Sequence, residues 1–259
     1  MQIGISTACL YPLNTEEALL CLAQQGFKGI EIFINCDMEL HEPVSSEISR
    51  IIREYSLTIP AVHPVAALDS FFLFSNYERR KTQFLDACKL YFERMNEWNA
   101  PLMVFHGMKK DSDRSDELYF ERYAELCALA EKYNITIAQE NVAYCRSSDL
   151  DFLVKMKNEL NAMFTLDLKQ ARRSGLSAFE ILDKLGENVV HIHASDGGGE
   201  PGDCLLIGQG SFDFAGFFAK LKELNYNKSV ILELYRENFD SDDDLKESVE
   251  KLVDICENL

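Results

Sequence analysis

Apolar residues fall along this chain in two alternating patterns. Short, nearly unbroken apolar runs occupy residues 2–6, 29–33, 58–62, 101–105, 135–139, 163–166, 189–192 and 229–234. Runs of this length without regular polar alternation predict strands buried on both faces, as in a parallel sheet covered by helices. Between them the spacing becomes helical. One helix opens at Thr15-Glu16-Glu17 and stops at Gly26, a residue suited to a helix C-terminus. Others are predicted over 47–55, 77–98, 115–133, 149–160, 177–185, 214–224 and 240–256. In the longest, Phe84, Leu85, Cys88, Tyr91, Phe92 and Met95 mark the buried stripe by their helical spacing.

Eight strand–helix units within 259 residues predict an α/β protein of the (β/α)8 TIM barrel type, a single domain over residues 1–259. A doubly wound open sheet is the competing architecture. Its dinucleotide-binding version is weakened because no G-x-G-x-x-G follows the first strand. No linker, low-complexity tract or sequence repeat divides the chain.

Charge narrows the partners. With 43 acidic against 26 basic residues the net charge is -17, which opposes approach to a phosphate backbone and favours a small, locally held substrate. No apolar run approaches the ~18 residues of a membrane helix. The eight cysteines are scattered, with no C-x-x-C pair. The first residues, Met1-Gln2-Ile3-Gly4-Ile5-Ser6, carry no basic, long apolar leader. Reduced, packed thiols and a cytoplasmic location are therefore expected. Homo-oligomerisation is left open.

In a barrel of this kind the chemistry sits where the strands end. Here the strands end in His63, His106, Glu140, Asp167, His193 and Glu233, which include three of the five histidines in the chain. All six are metal-ligating types. Three carboxylates gathered at one mouth would repel one another and be desolvated, a cost that a cation removes. His191, separated from His193 by one residue, is assigned to the opposite face, against the helix layer. Lys109, Lys110, Lys169, Arg172, Arg173 and Arg236 fall near the same mouth and are candidates to hold an anionic group of a substrate. The acidic run 240–244 opens the last helix, where it favours the helix dipole. The stretch Phe71-Phe72-Leu73-Phe74 has three roles open to it: walling the pocket, covering the mouth, or making a dimer contact.

The strand ends Val-His-Pro (62–64), Phe-His-Gly (105–107), Gln-Glu-Asn (139–141), Leu-Asp-Leu (166–168), His-Ile-His-Ala-Ser-Asp (191–196) and Leu-Glu-Leu-Tyr-Arg (232–236) resemble those of the xylose-isomerase-like TIM barrels. That superfamily holds sugar and sugar-phosphate isomerases and epimerases, and also the apurinic endonucleases of the endonuclease IV type. The resemblance covers nearly the whole chain. It implies that Glu140, Asp167, His193 and Glu233 match the four ligands of the single Mn2+, Mg2+ or Co2+ of the ketose 3-epimerases, where the two glutamates also move protons on either face of the substrate carbon. In the endonuclease branch, with three zinc ions, His63, His106 and Glu140 match one site, and Glu140, Asp167, His193 and Glu233 match the bridging site. The third zinc site departs from the pattern: Gln170 stands where a His is needed, and no histidine occurs near Gly202-Asp203-Cys204, although Cys204 is itself a ligand type. The epimerases' own substrate-holding His (here Gln170) and their Arg in the loop after the seventh strand (here 197–201) are also replaced. Gly208-Gln209-Gly210, similar to a Gly-Glu-Gly of relatives, suggests a loop over the mouth.

The resemblance thus implies a sugar or sugar-phosphate isomerase/epimerase that depends on a divalent metal ion (Mn2+, Mg2+ or Zn2+). Glu140 and Glu233 are its catalytic pair, with Lys109, Lys169, Gln170 and Arg236 as candidate substrate contacts. The alternatives are a zinc-dependent phosphoesterase of the apurinic endonuclease type, with a second metal on His63 and His106, and a non-catalytic barrel that binds a metabolite. The implied partner is a small sugar or sugar phosphate, not nucleic acid or a membrane.

Overall fold

The computed structural model describes residues 1–65, 69–198 and 202–258. In chain order the elements are β1 (Gln2–Ser6), α1 (Thr15–Gln24), β2 (Ile30–Ile34), α2 (Val44–Tyr55), β3 (Val62–Pro64), α3 (Asp69–Phe72), α4 (Glu78–Glu97), β4 (Leu102–Phe105), α5 (Asp116–Glu131), β5 (Thr136–Glu140), α6 (Leu150–Leu160), β6 (Met163–Asp167), α7 (Leu168–Arg173), α8 (Ala178–Leu185), β7 (Val189–Ala194), α9 (Phe214–Glu223), β8 (Ser229–Leu232) and α10 (Asp242–Glu257). The strands pair in parallel, each with its sequence neighbour, and β1 closes on β8. This is a (β/α)8 TIM barrel.

Local chemistry explains the boundaries. Capping boxes start α1 (Asn14 with Glu17) and α10 (Ser241 with Asp244), so the acidic run is a helix start. Ser56 and Asn161 close α2 and α6 in the left-handed conformation. The third strand lies later than the predicted 58–62. Pro60 has no N–H to give the ladder, so Thr58 makes only an isolated bridge to Gly29 and the strand resumes at Val62. His63 therefore lies within the strand. The short α7, which the sequence pattern does not show, begins directly after Asp167.

The main apolar cluster packs between the strands and the outer helices. In a small separate cluster, Ala61, Val104 and Ala138 lie two residues before His63, His106 and Glu140, and Leu102 lies four before His106, so the cluster shares their inward face and plugs the barrel beneath them. Gln139 points the other way and ties two strand ends together: its amide donates to the carbonyls of Phe105, His106 and Glu140 at 3.1, 2.9 and 2.9 Å, and its oxygen accepts from the Tyr119 hydroxyl.

Gly107 follows His106 at φ +79°, and a Cβ there would collide with the Tyr119 hydroxyl and lie 3.0 Å from Gln139 Oε1. Gly107→Ala should therefore destabilise the protein by about 2–5 kcal/mol, from left-handed strain plus overpacking. Denaturant unfolding at fixed metal content measures it. A change below about 0.5 kcal/mol would mean that the turn relaxes freely.

Candidate metal centre

Glu140 and Asp167 are the last residues of β5 and β6, His193 is the penultimate residue of β7, and Glu233 follows β8. Register places them side by side: Asp167 pairs with His193, and the Glu233 N–H donates to Ala194 O at 3.0 Å. Asn141 locks β5 to β6, donating to Asp167 O at 3.0 Å and accepting from the Asp167 N–H at 2.7 Å. All four side chains are buried. Their ligand atoms lie within 4.8 Å of one another, as do those of His63, His106 and Glu140. The six strand-end residues are thus brought to one place.

His193 is central. Its Nδ1 lies 3.2 Å from Glu140 Oε1, 3.7 Å from Glu233 Oε2 and 3.8 Å from Asp167 Oδ2. His106 Nε2 lies 2.7 Å from Glu140 Oε2 and 2.9 Å from His63 Nε2. The His106–Glu140 pair is close but not aligned as a hydrogen bond, so Glu140 Oε2 has no hydrogen-bond donor. Asp167 divides its oxygens: Oδ1 accepts the Gln170 N–H at 2.7 Å and caps α7, while buried Oδ2 has no hydrogen-bond partner. Lys169, carried back over the site by α7, places Nζ 3.0 Å from Glu233 Oε2 and 3.5 Å from Asp167 Oδ2.

The electrostatics follow from burial in company. Burial raises the Glu140 carboxyl, but the His106 and His193 imidazoles more than reverse this and hold it well below the usual carboxylate range. Burial likewise raises Glu233, and Lys169, His193 and His63 bring it down. Burial pushes His193 down, and Glu31 and Glu233 push it well above the ordinary imidazole range. Lys169 is held protonated by Asp167 and Glu233 against its own burial.

Two residues change the sequence picture. Glu31, on β2, is fully buried, and its Oε2 accepts from His191 Nε2 at 2.7 Å and His193 Nε2 at 3.0 Å. Sequence reasoning overlooked it, although a lone acid in Ile-Glu-Ile-Phe is a visible signal. His191 does not face the helix layer. Residues two apart in a strand share a face, so His191 points inward with His193, and its Nδ1 lies 2.7 Å from Ser229 Oγ.

The predicted substrate cations separate. Lys169, Gln170 and Arg236 line a mouth cavity of about 460 Å³, together with His63, His106, Glu140 and Glu233. Gln170 Oε1 accepts from the Ala143 N–H at 3.1 Å, and Arg236 donates to Phe239 O at 2.8 Å. Lys109 is exposed and outside that lining, and Lys110 donates to Ala143 O at 3.1 Å. Arg172 clamps the carbonyls of Ser195, Asp196 and Asp203, and Arg173 pairs with Asp203 at 2.6 Å. Cys204 donates to Glu233 O at 3.9 Å and belongs to no ligand group among the described residues. Leu73 and Phe74 are core residues, and Phe33 and Val65 line the cavity instead of the 71–74 stretch. The 208–210 loop folds back on Asp196, whose Oδ2 accepts the Gly208 N–H at 2.8 Å. Residues 199–201 of the loop after β7 lie outside the described residues. No helix among the described residues is long and apolar enough to cross a membrane.

Against this geometry stand the comparisons with known proteins. Residues 21–255 match the sequence model of the xylose isomerase-like TIM barrel. An uncharacterized protein of Methanocaldococcus jannaschii is 25% identical over 247 residues, covering 90% of this chain and 83% of its own. The 3-dehydroshikimate dehydratase of Pseudomonas aeruginosa is 24% identical over 256 residues, covering 92% of this chain and 39% of its own. Among solved structures, a D-tagatose 3-epimerase-like protein superposes with a TM-score of 0.82 at 22% identity, over 100% of this chain and 99% of its own. The 3-keto-D-glucoside 4-epimerase of E. coli gives 0.75 at 16% identity, over 98% of each chain.

The charge pattern sets a pH dependence. Burial alone would lower the His63 imidazole, but Glu233, Glu31 and Glu140 lift it from 6.5 to about 9. Its folded value is raised, so its contribution is full below pH 6.5 and is lost as pH rises through about 9. Protein stripped of divalent ions should lose a few kcal/mol across that window, with His193 acting in the same direction. Thermal and urea melts in chelator at several pH values measure this. A flat profile, or equal loss in His63→Gln, would refute the assignment.

Proposed function

The chain belongs to the xylose isomerase-like TIM barrel family, and we propose that it is a divalent-metal-dependent isomerase or epimerase of a small sugar, working by proton transfer next to a carbonyl. The observation that carries this is a pair of buried carboxylate oxygens that accept no aligned hydrogen bond, Glu140 Oε2 and Asp167 Oδ2, in a cluster of four ligand-type side chains of which Glu140 and Glu233 line the cavity. Oxygens left without donors at such depth fit a cation. Glu140, Asp167, His193 and Glu233 would hold it, and a set rich in oxygen with one nitrogen suits Mn2+ or Mg2+ and admits Zn2+. When bound, such an ion polarises a carbonyl and acidifies the adjacent C–H.

The chain's own residues supply the rest. Glu140 and Glu233 are held ionised, so each is ready to accept a proton from the substrate carbon and to return it. Lys169 keeps Glu233 in that form by its 3.0 Å contact. Phe33, Tyr144 and Tyr235 give the cavity apolar walls against which a sugar face can lie. A sugar without phosphate is the better match: Lys109, Arg172 and Arg173 are outside the cavity lining, Lys169 is paired with acids, and Arg236, the one further cation in that lining, donates to Phe239 O. The likeness in fold to a D-tagatose 3-epimerase-like protein and to a 3-keto-D-glucoside 4-epimerase accords with this.

A second reading has an observation in its favour. His63, His106 and Glu140 converge tightly enough for a second cation, as a zinc phosphoesterase requires. The net charge of -17 weighs against a duplex substrate.

The test begins with a sugar panel in deuterated water, reading wash-in at the substrate C–H. Glu140→Gln and Glu233→Gln should each lower exchange by about 10²–10⁴-fold with the fold intact, because an amide cannot accept the proton. Chelation should abolish exchange and added metal restore it. Exchange at the wild-type rate in both variants would remove the two-glutamate mechanism. Recovery at high added metal would make the glutamates ligands only. Incision of abasic duplex by zinc-loaded protein, lost in Glu140→Gln, would promote the second reading. A metabolite that binds without exchange would leave a non-catalytic barrel.

A further inference from the structure

The proposed function gives no task to Glu31, His191 or Ser229, yet they form a continuous buried chain beneath the site. A carboxylate with no exposure is costly to bury and is kept only where its hydrogen bonds have a use. Glu31 Oε2 accepts two imidazole N–H groups, from His191 at 2.7 Å and from His193 at 3.0 Å. His191 is fixed at its far side by Ser229 Oγ, 2.7 Å from Nδ1. The two His193 nitrogens therefore face different neighbours: Nε2 meets Glu31, while Nδ1 lies among Glu140, Asp167 and Glu233. A neutral imidazole has one N–H and one lone pair. Once a cation displaces one of the His193 protons, a proton kept on Nε2 by Glu31 would leave the Nδ1 lone pair turned to the carboxylate cluster.

We propose that Glu31 is a positioning residue for the metal centre: it holds His193 in the Nε2–H tautomer with Nδ1 as ligand, and His191, oriented by Ser229, holds Glu31 at that angle. This rests on the reading of Glu140, Asp167, His193 and Glu233 as metal ligands. A carboxylate behind a ligating histidine fixes ring orientation and raises its basicity. The arrangement links β2 and β8 to the ligand on β7, so three strands determine one bond direction. Glu31 has one rival role in the geometry, as a ligand itself, because Glu31, His63, His193 and Glu233 also place ligand atoms within 4.8 Å.

The experiment uses the full chain, stripped of metal and titrated with Zn2+ or Mn2+ against a chromophoric chelator, in wild type, Glu31→Gln, Glu31→Asp and Ser229→Ala. In parallel, two-bond ¹H–¹⁵N spectra of zinc-loaded protein read the His193 tautomer. We expect Glu31→Gln to bind the same number of ions with about 10–100-fold lower affinity, and its His193 to lose the single Nε2–H signature. Glu31→Asp should recover part of the affinity, and Ser229→Ala should shift it in the same direction by less. Should Glu31→Gln fail to fold, the aspartate and Ser229→Ala variants carry the test. Unchanged affinity and tautomer in the folded variants would overturn the proposal. Loss of one bound ion with the remaining affinity unchanged would also overturn it, making Glu31 a ligand. A wild type that binds no ion would instead defeat the metal reading, a result distinct from either.

Discussion

Everything at the mouth of this barrel depends on burying four carboxylates, Glu31, Glu140, Asp167 and Glu233, close to one another. Desolvation opposes each charge, and the charges oppose one another. The protein answers with cations of its own. His193 and His63 are lifted well above the ordinary imidazole range, and Lys169 is held protonated. Even so, oxygens of Glu31, Glu140 and Asp167 remain without hydrogen-bond donors. These oxygens have imidazoles and an ammonium nearby but no aligned hydrogen bonds, which is where the proposed cation would fit. A divalent cation would displace protons from the imidazoles and turn repulsion into ligation. The same pressure explains why His191 sits below: burial holds it neutral, so it is an N–H donor to Glu31 without adding charge.

How much of this the chain itself announced varies by level. The strand–helix alternation was plain because parallel barrel strands are buried on both faces, which leaves runs such as Met163–Asp167 almost wholly apolar until their last residue. The site was plain for the same reason: a His or acid ending an apolar strand stands out. What failed was depth. Glu31 and His191 lie a layer below the strand ends, where a strand was judged by its apolar content alone. The two-residue period of His-Ile-His puts His191 inward with His193, where a buried imidazole pairs with an acid, here Glu31.

The cations were less legible, because a Lys or Arg side chain is long and its position in sequence says little about where its charge rests. Arg172 and Arg173 follow Asp167 closely, yet both turn away to the loop after β7, where Arg172 holds Asp196 and Asp203 carbonyls and Arg173 holds the Asp203 carboxylate. They shape the rim. Lys169, from the same segment, turns inward and rests 4.5 Å over the Tyr235 ring. Neighbours in sequence thus divide between rim and site.

That division comes from α7. A helix of six residues has little intrinsic stability, and nothing in Leu168–Arg173 advertises it. It exists because Asp167 Oδ1 caps the Gln170 N–H. The cap also decides the chemistry. With one oxygen committed to the helix, Asp167 offers only Oδ2 to the site, and the turn it starts delivers Lys169 back to Oδ2 and to Glu233. Proposed ligand, helix start and charge partner are therefore one mechanical unit. An ion held by Asp167 would have as its neighbour an ammonium that the same residue has placed there. Lys169 stands nearer to Glu233, the more exposed acid, than to Asp167, so the deeper oxygens of Asp167 and Glu140 are the ones that the proposed ion would take.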